Sequence, residues 1–124
     1  MLSALYGVWA AYTGDRVLSA RLMEDGYGRF CVDRFCQTLE YREDVFPEQP
    51  RGGPFFANLG GFLMGLLLGF PGLRPGSRNP SEWAQRDIVL PQGWSSIEVG
   101  QLWIHRRPFR LVARQGKRAV LTAM

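Results

Sequence analysis

The chain is predicted to be an α+β protein, with its helices first and a small antiparallel sheet last. Three observations predict this. Apolar residues recur at helical spacing up to Asp25 and fill the stretch Asn58 to Gly69. From Ser96 onward they alternate with polar residues at period two, the pattern of half-buried antiparallel strands. Between these regions Gly and Pro, 15 and 8 of 124 residues, break the chain into short pieces.

Leu5, Val8, Trp9 and Tyr12 predict a first helix over 4–12. Thr13-Gly14-Asp15 ends it. Gly14 suits a left-handed C-terminal cap, and Asp15 can accept a backbone N–H at the start of the next helix. That second helix is predicted from Arg16 to Asp25, with Val17, Leu18, Leu22 and Met23 as its apolar face. So short a connection makes the pair a helical hairpin. Phe30, Val32 and Phe35 belong either to a short helix or to an extended piece. Gln37 to Phe56 is predicted to be a long ordered loop, because Pro47, Pro50, Gly52, Gly53 and Pro54 oppose regular structure. Loops of that length in compact domains are uncommon and often functional.

A third helix is predicted from Asn58 to Gly69, with Asn58 as its cap. It is apolar on all sides and is expected to be buried all round. Gly60, Gly61 and Gly65 each weaken it by about 1 kcal/mol relative to Ala. Their presence points to close approach of another backbone or of a ligand. A chain this short has difficulty surrounding such a helix, so structure that covers it is expected to be missing. A membrane span is the alternative, since no charge lies between Arg51 and Arg74. Pro54 and Pro71 cut that stretch below the roughly 20 residues a span needs, so none is expected.

After Pro71 to Gly76 the pattern changes. Asp87 to Leu90 is a predicted short strand, ended by Pro91-Gln92-Gly93. Ile97 and Val99, Leu102 and Ile104, then Phe109, Leu111 and Ala113, then Ala119 and Leu121 form the inward set. Gln115-Gly116-Lys117 is a predicted hairpin turn. Two units are expected, 1–75 helical and 76–124 a β-domain.

An apolar fraction of 46% and a charged fraction of 21% are those of a globular protein and argue against disorder. The net charge is +4. Its cations are scattered among acids except for Arg106, Arg107, Arg110, Arg114, Lys117 and Arg118 near the end. These are expected to form a solvated strand face, and no nucleic-acid partner is expected. Cys31 and Cys36 are too few for a disulfide framework and are expected to be buried free thiols. A reducing compartment, the cytoplasm, fits them. Met1 to Ala11 lacks the charged start and cleavage site of a secretory signal. The chain opens abruptly on a helical pattern, as a cut domain would. His105, beside Arg106 and Arg107, is expected to be a surface residue. No metal-ligand spacing, phosphate loop or serine triad can be assembled, and no cofactor or metal is expected. Trp94 and Trp103 are assigned to the β-unit core or its packing on the helices.

The run Phe55-Phe56-Ala57-Asn58-Leu59-Gly60-Gly61-Phe62-Leu63-Met64 resembles the "aromatic, x, T/N, x, GGFLQ" segment of glycoside hydrolase family 65 and related six-hairpin glycosidases. Gly69-Phe70-Pro71-Gly72-Leu73-Arg74 is similar to the "GxxGLR" that follows in that family. Leu90-Pro91, Gly93-Trp94, Ile97 and Leu102-Trp103-Ile104 resemble the start of its C-terminal β-domain. Leu5 to Ala20, with Gly14-Asp15 at the turn, resembles a helical hairpin of the family. The resemblance implies the last helices of an (α/α)6 barrel followed by a small antiparallel β unit. It also implies a parent enzyme that hydrolyses or phosphorolyses α-glucosides of the trehalose or kojibiose type.

Inverting hydrolysis needs a general acid and, across the bond, a base that activates water. Tyr41-Arg42-Glu43 matches the "aromatic-x-E" segment that carries the base in the hydrolase branch. The resemblance therefore makes Glu43 the candidate general base, with Glu40 the runner-up. It places Tyr41, Asn58, Gly60 and Gly61 on the substrate side. The family's general acid lies upstream, and Asp15, Glu24, Asp25 and Asp33 have ordinary surface or cap roles. The chain alone is therefore expected to be inactive. Pro54 to Ala57 carries no phosphate-binding donors, which favours a hydrolase over a phosphorylase. Two other classes are open: a stand-alone carbohydrate-binding or protein-interaction module, and a small membrane-associated protein. Carbohydrate and, through uncovered apolar surface, self-association are the expected contacts.

Overall fold

The computed structural model describes residues 3–32, 37–50, 53–76 and 79–124. A 3-10 turn (Ser3–Leu5) leads into α1 (Tyr6–Tyr12), and α2 (Arg16–Gly26) packs back on it. Gly14 adopts φ 87°, and the Asp15 carboxylate accepts the Leu18 amide at 2.8 Å. Both features are those predicted for the turn. The buried Ser19 hydroxyl donates to the Gly7 carbonyl at 2.7 Å and locks the hairpin. A second 3-10 turn (Gly28–Phe30) precedes β1 (Cys31–Val32), which pairs antiparallel with β2 (Gln37–Thr38). The predicted loop therefore starts one element later, after Thr38, and ends where a helix begins at Phe56. The Cys31 thiol is only half-buried, not fully buried as expected, and donates weakly to the Tyr27 carbonyl at 3.6 Å. Asp33, Phe35 and Cys36 lie outside the described residues.

The third helix differs from its prediction in three ways. α3 spans Phe56–Met64, and Phe55 occupies the N-cap with no side-chain hydrogen bond. Asn58 is thus no cap: it lies inside the helix, fully buried, with neither amide atom hydrogen-bonded. Next, Gly65–Gly69 winds as a π-turn. There the Phe70 amide donates to the Gly65 carbonyl at 2.8 Å, and the Leu73 amide to the Leu68 carbonyl at 3.0 Å. Wide turns of this kind interrupt α-helices at special sites. The close packing of this segment on α1 explains its glycines: a Cβ on Gly69 would meet Val8 at 2.8 Å, and one on Gly65 would meet it at 3.2 Å. Finally, the helix is not buried all round. Phe56 and Met64 are 74% and 58% exposed, and a Cβ on Gly60 would meet nothing within 4 Å. The close approach anticipated at Gly60 is not made by the described residues.

The sheet has order β3-β4-β5, all antiparallel: β3 (Ser96–Ile104), β4 (Arg107–Arg114) and β5 (Val120–Ala123). The inward set steps from odd positions (Ile97, Val99) to even ones (Leu102, Ile104). A register shift between Val99 and Leu102 produces the step, because one extra residue reverses the facing of all that follow. Gly116, at φ 72°, turns the second hairpin where predicted. The first hairpin turns on His105 and Arg106, at φ 49° and 63°. That geometry normally selects Asn-Gly. Trp103 is a correction: it is 63% exposed, on the side of β3 opposite the inward set. Trp94 does pack on the core, its ring 5.8 Å from that of Phe70.

Asp87 to Leu90 is extended but is no strand of the sheet. It runs along the second hairpin turn, with the Ile88 amide on the Lys117 carbonyl (3.1 Å) and the Gly116 amide on the Ile88 carbonyl (2.9 Å). At its end the Leu90 amide donates to the Gln115 side-chain carbonyl (2.7 Å) and the Leu90 carbonyl accepts from the Arg16 guanidinium (2.9 Å), side chains standing in for a strand partner. One apolar cluster crosses the expected boundary at residue 75, joining Val8, Ala11 and Phe70 to Leu90, Phe109 and Leu111. The helical and β parts share a core. Arg16 fastens them further, donating to the carbonyls of Leu90 (2.9 Å), Pro91 (3.3 Å) and Trp94 (3.0 Å). Tyr12 donates to the Gly69 carbonyl at 3.0 Å, and the Arg86 guanidinium lies 3.5 Å over the Tyr12 ring. No helix among the described residues is long and apolar enough to cross a membrane.

Candidate functional site

The loop between β2 and α3 lines an open pocket of about 390 Å³. Leu39 anchors its start: the side chain is buried, and its amide donates to the Phe30 carbonyl at 2.8 Å. Glu40 and Tyr41 follow at the rim. The chain then turns tightly, with the Val45 and Phe46 amides both on the Arg42 carbonyl (3.2 and 2.9 Å). Arg42 grips Asp44 through two nitrogens, one at 2.9 Å. This fork straddles Glu43 in sequence and fixes the backbone that carries it. The hydrogen bond from Arg42, and then its charge, hold the Asp44 carboxyl below its ordinary value. The Tyr41 ring meets Phe46 edge-on at 6.0 Å, and the Gln49 amide closes a further turn on the Phe46 carbonyl at 3.1 Å.

Glu40, Tyr41 and Glu43 therefore line one pocket, walled by Phe46 and Phe55. Two carboxylates offer hydrogen-bond acceptors for hydroxyl groups, and aromatic rings offer apolar faces. Asn58, Gly60 and Gly61 are not in its lining. They lie farther along α3, with Asn58 sealed inside and the Gly60 position open. Phe46 and the Arg42–Asp44 fork were not foreseen from the sequence. An aromatic residue and an i, i+2 charge pair inside a proline-rich loop were the available signals.

The second concavity, about 420 Å³, is apolar and runs between α3, the π-turn and the end of β3. His105 lies at its edge, its ring 6.2 Å from that of Trp83. The nearby basic residues are partly neutralised. Glu98 pairs with Arg110 at 3.3 Å and Arg114 at 3.9 Å, and Asp87 with Arg118 at 4.0 Å, all at exposed positions. Among the described residues no group of three His, Cys, Asp or Glu is placed to hold a metal ion. Comparison with protein families, with curated proteins and with solved structures returns no match.

Proposed function

We propose that this chain is the closing segment of an inverting α-glucoside hydrolase of the trehalose or kojibiose type. In it Glu43 serves as general base, Glu40 is the alternative base, and Tyr41 is an aromatic contact for the sugar. The observation that carries the proposal is the shared pocket of Glu40, Tyr41 and Glu43 beside Phe46 and Phe55. A pyranose presents hydroxyls around its edge and C–H groups on its faces, and a carboxylate–aromatic pocket answers both. The uncovered apolar sides of α1 and α3 support a larger enclosing body, which in an (α/α)6 barrel is the rest of the barrel. Asn58, Gly60 and Gly61 belong to the substrate side only once that body is in place.

A missing acid or base partner removes about 10²–10⁴-fold in rate, and a missing barrel removes substrate positioning as well. The chain alone is therefore expected to bind α-glucosides weakly and turn none over. Titration of the labelled chain with trehalose and kojibiose, followed by amide NMR shifts, tests this. Shifts confined to 39–55 and lost in Tyr41→Ala and Glu43→Gln support the proposal. Absence of shifts at those residues with either sugar overturns it, and turnover by the chain alone overturns its inactivity.

A further inference from the structure

We propose that the pocket lined by Glu40, Tyr41 and Glu43 is a site for a small quaternary ammonium compound with a neutral polar tail, of which choline is the type. Three aromatic rings line the pocket: Tyr41, Phe46 and Phe55. The Tyr41 and Phe46 rings stand 69° apart with centroids at 6.0 Å, so they form a corner rather than a flat wall. Both residues are about half exposed, 43% and 50%, which leaves ring surface open to a ligand. The face of an aromatic ring carries the negative part of its quadrupole and attracts a cation. Methyl groups on that cation cover apolar ring surface and ask for no hydrogen bonds in return.

Charge sets the sign of the ligand. The charged residues of the lining are Glu40 and Glu43, both acidic, and no Lys, Arg or His is among the described residues that line it. The neighbouring Arg42 directs its guanidinium to Asp44. A chain of net charge +4 thus sets acids alone beside three rings here. A phosphate or carboxylate close to the ammonium would be repelled by the same two acids, so the tail is neutral. Its hydroxyl finds partners in the carboxylates and in the side-chain amide of Gln49. At about 390 Å³ the pocket has the size of a small-molecule site. A bare metal ion does not suit it, since no three metal-ligating side chains converge among the described residues. A primary ammonium holds its water more strongly and needs acceptors for three N–H groups, which the rings do not supply. Cation and glucoside would occupy the same space and exclude one another, and the cation site holds whether or not the glucoside reading does.

The test titrates the full labelled chain at constant ionic strength and follows amide NMR shifts. The probes are choline, phosphocholine and the neutral isostere of choline, in which a tert-butyl group replaces the trimethylammonium group. Choline is expected to bind about tenfold tighter than the isostere, with shifts centred on 39–55. Phosphocholine should bind more weakly than choline. Glu40→Gln, which keeps the shape and loses the charge, should weaken choline about threefold or more and leave the isostere nearly unchanged. Phe46→Leu, which keeps apolar bulk and loses the ring, should lower the preference for choline over the isostere. Equal binding of choline and the isostere, tighter binding of phosphocholine, or no choline shifts at 39–55 overturns the proposal. The three probes on the unaltered chain decide this even where a variant does not fold. Shifts with trehalose or kojibiose but none with choline sink the cation site alone. Shifts with choline but none with either sugar sink the glucoside reading alone.

Discussion

Replacing Arg16 by Ala should uncouple the helical hairpin from the β part. The guanidinium donates to three carbonyls across the joint, and the Gln92 amide returns a bond to the Arg16 carbonyl at 2.9 Å. Leu90 and Pro91 are buried, so their acceptors gain little water when the side chain is removed. Hydrogen bonds to charged donors contribute about 1.5–3 kcal/mol each, and an orphaned buried acceptor costs about 1–3 kcal/mol. The Pro91 bond is long, and Trp94 is only half-buried. Their shares are discounted, which leaves about 3 kcal/mol for the truncation. That is a large part of the roughly 5–15 kcal/mol that holds a domain folded. Arg16→Lys should recover only a minor part, because an ammonium on a flexible stem cannot fork to three acceptors. Urea unfolding followed by far-ultraviolet circular dichroism and by tryptophan fluorescence measures the effect. The unaltered chain should give coincident curves. Arg16→Ala should lose about 3 kcal/mol, with the two curves separating. A loss below about 1 kcal/mol, with coincident curves, refutes the view that Arg16 couples the two parts.

Three further perturbations have definite expectations. The pair His105→Asn, Arg106→Gly should stabilise the chain by about 1–2 kcal/mol in thermal unfolding, because non-Gly residues held at positive φ store strain of that order; destabilisation would contradict the turn geometry. Asn58→Leu should raise stability by about 1–3 kcal/mol, since a buried amide without partners is replaced by apolar atoms of similar size; a comparable loss would mean that the amide has a polar partner in solution. Asp44 has its pKa lowered in the folded state by Arg42, so its contribution is present above its ordinary value of 3.8 and is lost as pH falls through the lowered one. Protection of the amides in 42–46, relative to the intrinsic exchange rate at each pH, should fall on acidification through that range, and Asp44→Asn should show the low protection already at neutral pH.

Periodicity made the helical hairpin and the three strands legible, because each buries one face and leaves the other wet. Gly14, Asp15 and Gly116 were legible for a stricter reason: their backbone angle or side-chain acceptor is needed at that point of the chain. The bulge at Gly100 and Gln101 was visible only as a change of parity from Val99 to Leu102. The third helix misled at its ends. Asn58 has capping chemistry, yet the helix begins earlier, at Phe56, and holds the amide inside. The π-turn packs against α1, where a Cβ on Gly69 would meet Val8, a tertiary contact that no local pattern encodes. Trp103 was assigned inward by its size, but its neighbours Leu102 and Ile104 hold the inward positions. At the pocket, Glu40, Tyr41 and Glu43 came from a sequence resemblance. Phe55 closes over them by tertiary folding alone.

Covered or bare, the outer side of α3 decides whether this chain presents a surface built for another body. Met64 reports on it directly. Hydrogen peroxide oxidation followed by peptide mass spectrometry gives the rate at each methionine sulfur, which follows its exposure. Met64 is 58% exposed and Met124 71%, whereas Met23 packs against the core. In dilute solution Met64 should oxidise at nearly the rate of Met124 and well ahead of Met23, and it should become protected as the protein concentration rises. Protection of Met64 to the level of Met23 at the lowest concentration would mean that the chain covers this helix by itself, and the need for an enclosing partner would be gone.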